Sequence, residues 1–238
     1  MIIKNVSRFL NYWTTVVVFV SLIIGCTETQ MTYFPLEAGR HWQYRIEKTT
    51  MDGKITQKYL LETTEPQQWD GVVVSAKQTL DGHQYFFRAD DQGVKRVAYR
   101  PKDAQKIQPQ APTLRILPAD IRVGSAWQQP IKTSALESSG PPWESRFRVD
   151  AAVPMDYVIE SIDDVVRVSA GEFKGCVRVF GSGETTTRVG SYIGQITIRV
   201  EVTRWYAPNL GLVRSLRIEH SDAAPLDSGM IEMELESY

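Results

Sequence analysis

The sequence predicts an all-β protein, a curved and mostly antiparallel sheet or sandwich of roughly ten to twelve strands. Three observations point there. Apolar and polar residues alternate with period two in segment after segment, Asp-Gly pairs punctuate the apolar runs, and no long stretch carries a helical period. Alternation of this kind belongs to strands with one buried and one wet face, which is antiparallel behaviour.

In chain order, the first segment is an address. Lys4 and Arg8 precede an apolar run from Trp13 to Gly25, 13 residues long, which suits a secretory core and falls short of the ~20 a spanning helix needs. Ile23-Ile24-Gly25-Cys26 at its end resembles the lipobox of bacterial lipoproteins. The resemblance implies cleavage before Cys26, diacylglycerol on its thiol and palmitate on its new amine. Two or more chains anchor stably where one is marginal. An uncleaved N-terminal anchor is the alternative. Thr27, where an acid would favour inner-membrane retention in enteric bacteria, leans the location to the outer membrane, facing the periplasm. Residues 1–25 thus form the signal peptide and 26–32 the lipidated cysteine with a short tether.

Residues 33–238 are expected to be a single β-rich domain. Trp42, Tyr44 and Ile46 alternate with polar residues, and Asp52-Gly53, Asp70-Gly71, Asp81-Gly82 and Gln92-Gly93 separate the runs that follow. Residues 42–100 therefore read as a meander. Pro101, Pro109, Pro112 and Pro118 mark a connection over 101–118 between halves of about 33–100 and 117–238, and Ser134 to Trp143 reads as a second loop. Further strands are expected where Phe147, Val149, Ala151 and Val153, then Ile196 to Val202, then Ile231, Met233 and Leu235 alternate with polar residues. Both halves open on an apolar residue, a proline and Gly-x-x-Trp: Phe34-Pro35 with Gly39 and Trp42, Leu117-Pro118 with Gly124 and Trp127. Glycine would turn into the strand and tryptophan fill the core end.

Tyr33-Phe34-Pro35-Leu36 with Gly39 and Trp42-Gln43-Tyr44, Gly171-Glu172-Phe173 with Cys176, and Trp205-Tyr206-Ala207-Pro208 with Gly211-Leu212-Val213 together resemble the DUF3108-like (TapB-like) group of bacterial envelope proteins. The resemblance implies an all-β body and an envelope location, and carries over no catalytic residue.

Composition narrows the function classes. The chain is 42% hydrophobic with 27 Lys plus Arg against 28 Asp plus Glu, which argues against disorder and against nucleic-acid binding. Removing residues 1–25 takes two bases and no acid, leaving 25 bases against 28 acids. His41, His83 and His220 lie far apart, so no metal site and no cofactor is expected. Trp205, Tyr206 and Pro208 form a candidate binding rim, with a strand end and Pro-Asn turn as the structural alternative. Cys176 shares a face with Lys174 and Arg178 by alternation, unless a bulge at Gly175 reverses it. Neighbouring cations would favour a reactive thiolate at an open site, and a structural cysteine is the expectation. Asp90-Asp91 and Asp163-Asp164 read as turns. Arg96, Arg100, Lys102, Lys106, Arg115 and Arg122 read as a solvated face that could also meet lipid head groups.

The expected function is a lipid-anchored, non-catalytic β-domain that binds another envelope component. The alternative is a periplasmic carrier of a lipid or hydrophobic ligand in a curved sheet. An envelope hydrolase would need a histidine to meet distant carboxylates.

Overall fold

Alternation at period two becomes a sheet where backbone edges find partners, and ten of the fifteen strands described here are paired on both edges. The computed structural model describes residues 31–140 and 145–238. The signal peptide, Cys26 and the tip of the Ser134–Trp143 loop lie outside the described residues. The strands are β1 (His41–Thr50), β2 (Gly53–Thr63), β3 (Gln67–Trp69), β4 (Val72–Thr79), β5 (Gln84–Asp90), β6 (Gly93–Arg100), β7 (Gln108–Pro118), β8 (Ala126–Lys132), β9 (Glu137–Gly140) and β10 (Ser145–Arg148). The remaining five are long: β11 (Ala152–Val168), β12 (Gly171–Val189), β13 (Gly194–Ala207), β14 (Gly211–Ser221) and β15 (Ser228–Ser237).

Twelve of them form one antiparallel path in the order β7-β6-β5-β4-β2-β1-β15-β14-β13-β12-β11-β8. The sheet is curved and nearly closed. The all-β expectation holds, and the strands beyond the expected ten to twelve are the short β3 beside β4 and the β9–β10 hairpin. The meander over 42–100 is present, and a second runs from β11 to β15. The two halves are one sheet, joined where β1 pairs β15 from Gln43–Ser237 to Thr49–Met230.

Two connections read from the sequence contain strands. Within 101–118, residues 108–118 form β7 and pair with β6. β7 ends the path, and an end strand tolerates Pro109, Pro112 and Pro118 because only one of its edges has to donate. Residues 137–140 form β9, paired with β10. The 147–153 alternation keeps its buried parity, with Val149, Ala151 and Val153 all buried, although the strand breaks between Arg148 and Ala152. Asp163-Asp164 lies inside β11, not at a turn.

The matching openings of the halves do the same work. Gly39 and Gly124 take φ of 80° and 90°, a turn only glycine enters at low cost, and Trp42 and Trp127 three residues later are buried. Two core clusters occupy successive stretches of the long strands: one around Tyr157, Ile159, Val179 and Ile198, the other around Trp42, Tyr44, Cys176 and Leu235. A third, around Val74, Ala76 and Phe86, is covered by Trp69, Val97 and Ile107. That cover explains consecutive buried residues in β4 and β5, where both faces are packed.

Candidate functional site

The curved sheet forms a half-open cavity of about 950 Å³, at the upper end of ordinary small-ligand sites. Every strand of the twelve-strand path except β12 sends a residue to its wall. Much of that wall is aromatic or aliphatic: Tyr59, Phe87 and Leu61 from one half, Leu212, Tyr206 and Met233 from the other. Such a surface favours an apolar guest.

Set into it are Lys77, Arg96, Lys132, Arg204 and Arg217, and among the described residues no Asp or Glu lines the cavity. Arg204 stands between Val202 and Tyr206 in the inward parity of β13, above Tyr157, with its guanidinium carbon 5.7 Å from that ring's centre. Burial works against its charge, but the Tyr206 and Tyr157 phenols outweigh it and hold its pKa above the ordinary arginine value. Arg96 is held by Gln110 at 2.9 Å and lies 5.2 Å from the Tyr85 ring. Its Nε is buried and has no hydrogen-bond partner among the described residues. Burial lowers its pKa. Arg217 is the one lining arginine with a carboxylate, Glu219 at 2.5 Å, and its Nε is likewise unpartnered.

Lys77 is only 4% exposed, with Nζ 3.6 Å from the Trp42 ring centre and 4.3 Å from that of Phe34. Two aromatic faces stabilise the ammonium partially. Burial nevertheless pushes its pKa down to about 7, against the pull of Glu37. Lys77 therefore exchanges its proton near neutrality.

One stretch of the wall is a seam. β7 and β8 are the two ends of the path and share no backbone ladder. Arg115 N donates to Gln129 Oε1 at 2.7 Å across it. Pro130 of β8 faces Pro154 of β11 in register. Two prolines can only make a non-hydrogen-bonded pair, so the N–H that Pro130 lacks belongs to the free edge. With Pro109 and Pro112 on β7, the chemistry of both edges opposes zipping the sheet shut.

The expected rim separates. Tyr206 is 3% exposed and lines the cavity. Trp205 takes the opposite face, where its Nε1 donates to Asp164 at 3.1 Å and Arg214 covers its ring. Neighbouring residues of a strand point to opposite faces, and the register shift between Trp205 and Tyr206 does not change that here. Pro208 belongs to the turn that receives the N-terminal segment: Thr32 N donates to Asn209 Oδ1 and Asn209 N to Thr32 O. Trp42 Nε1 reaches Leu210 O and Tyr44 Oη reaches Leu212 O, both at 2.9 Å. The three motif segments thus meet one another, and Cys176 is fully buried among them. Burial, helped by Asp164, pushes its thiol pKa up to about 11. It is a structural cysteine.

Arg96 leaves the solvated face on which the sequence placed it. Lys77, Arg204 and Arg217 escaped the sequence reading, although Arg204 already stood in phase with Ile198, Val200 and Val202. Among the described residues no three His, Cys, Asp or Glu side chains gather as a metal site.

No family model matches the chain, and no curated protein matches it. The DUF3108-like resemblance accordingly rests on its three motif segments. Two solved structures match along most of the chain. One, from Bacteroides fragilis, is described provisionally as an exported protein with a YmcC-like fold. It is 15% identical, with 87% of this chain and 98% of that chain covered and a TM-score of 0.40. The other, from Parabacteroides distasonis, is described provisionally as a lipoprotein. It is 14% identical, with the same coverage of 87% and 98% and a TM-score of 0.34.

Proposed function

We propose that the chain is a lipid-anchored, non-catalytic protein of the bacterial envelope whose barrel holds a hydrophobic ligand. The envelope component it binds is on this reading a small guest inside the sheet, not a partner on a rim. One observation carries it: eleven strands from both halves converge on a single cavity with largely apolar walls. A sheet that merely needed a core would fill that space with side chains, since protein interiors pack to crystal-like density. The unzipped β7–β8 edge is the natural entrance. Cys26, acylated, would hold the barrel at the membrane, and Thr27 favours the outer membrane facing the periplasm. No nucleic acid, metal or cofactor enters this reading.

Trp42 stacks under Lys77 of the cavity wall, so its emission can report on a guest. A dansyl-labelled fatty acid added to the full-length protein in nanodiscs should give saturable tryptophan-to-dansyl energy transfer, reversed by unlabelled fatty acid. Transfer that rises linearly without saturation, as for partition into the bilayer, would contradict the reading.

A further inference from the structure

We propose that the cavity selects an anionic amphiphile, an acyl-tailed molecule whose carboxylate or phosphate head docks against Arg96, Arg204 and Arg217. The inference rests on the container reading above and adds the chemical class of the guest.

The geometry gathers these three guanidinium groups. Arg204 lies opposite Ser215 and Arg217 opposite Val202 in the β13–β14 register. They are therefore diagonal neighbours on the inner face, within reach of long side chains. Arg96 enters from β6 in the other half, and its charge and that of Arg217 both feel Arg204. Like charges brought together in a partly desolvated space repel, and a fold keeps them only where something offsets the cost. Glu219 offsets part of it for Arg217 alone. Arg96 and Arg204 have no carboxylate within ion-pair distance among the described residues, nor has Lys77, which is almost wholly buried.

An anion supplies what is missing. Guanidinium groups bind carboxylate and phosphate through paired charge-assisted hydrogen bonds, and the buried Nε atoms of Arg96 and Arg217 have no hydrogen-bond partner of their own among the described residues. A free inorganic anion would leave the aromatic and aliphatic wall unused. A neutral lipid would leave the cations unmet. A molecule with both parts satisfies both.

The test compares two photoactivatable probes with the same diazirine-bearing acyl tail, one a fatty acid and one the matching fatty alcohol. Each is applied to the full-length protein in its own membranes. Crosslinked peptides are then mapped by mass spectrometry. The acid should label peptides of the cavity wall about tenfold more than the alcohol, the worth of one charge-assisted contact. Millimolar inorganic phosphate should not displace it. Arg204→Gln and Arg96→Gln should each cut the acid's advantage about tenfold; if one variant fails to fold, the other carries the comparison. Equal labelling of the wall by acid and alcohol would overturn the head-group assignment while the container reading stands. An advantage unchanged in both variants would overturn it as well. Loss of acid labelling to inorganic phosphate would assign the site to a free anion. Absence of wall labelling by either probe would overturn the container reading itself.

Discussion

Gly175 decides the fate of Cys176. At φ 67° the glycine breaks the alternation that would have left the thiol beside Lys174 and Arg178, and consecutive Cys176 and Val177 are both buried. Sequence could name the bulge as an option but not choose it, since the choice depends on what β11 does opposite. A thiol so buried, with its pKa pushed up, has almost no thiolate at neutral pH. Cys176 should escape maleimide labelling in the native protein and label fully in denaturant, read from its own peptide. Native labelling at a free-thiol rate would contradict its placement. Lys77 gives a second outcome. Its folded pKa of about 7 lies below the ordinary lysine value of about 10.4. Between those values the unfolded chain binds more protons, so this group makes the fold more stable as pH rises through the window. Lys77→Met should therefore stabilise the protein, on the order of 2 kcal/mol or more at pH 6, with the gain shrinking by pH 9. Paired denaturant titrations at the two pH values check both the sign and the trend.

At the level of elements, most strands were legible because each carries its own two-residue period, and Asp-Gly turns fixed where the first meander folds. What was not legible is what local pattern does not encode: that β15 pairs β1, that residues 108–118 form an end strand, and that the segment after β8 is held by a distant carboxylate. Glu219, fully buried in β14, accepts from the backbone N–H groups of Ser134, Ala135 and Leu136 between 2.9 and 3.2 Å, and pairs with Arg217. Three consecutive amides around one carboxylate form an anion-binding concavity. Gly229 of β15 lets this segment approach, for a Cβ there would lie 2.2 Å from Ala135 O. Glu219→Ala removes one partner of a buried ion pair and the acceptor for three amides. It should cost about 3–5 kcal/mol and speed hydrogen exchange at residues 134–136 ahead of the rest. Unchanged protection at those amides would show that the segment is held by its apolar contacts instead.

The whole molecule is a sheet whose two halves meet in the middle of the path and whose two termini of the path meet at a seam. The β1–β15 joint makes the halves interdependent, so a chain ending at Asp227, without β15, should give no cooperative thermal transition and should aggregate through the exposed edges of β1 and β14. An independently folded N-terminal half would refute that dependence. The cavity itself was only half legible. Curvature could be anticipated from many short hairpins, and Arg204 stood in the apolar phase of its strand, but periodicity cannot show that Arg96 from a remote strand faces the same space.

Native mass spectrometry of the full-length protein, extracted gently from its own envelope, tests the central claim most directly when paired with a variant whose cavity is filled, Leu212→Trp. The expected result is a non-covalent mass of lipid size on the wild-type chain that disappears from the filled variant. The covalently attached acyl chains should be unchanged in both. A wild-type chain that repeatedly carries no such mass, or a bound mass that persists undiminished when the cavity is filled, would contradict the claim that the barrel is a container.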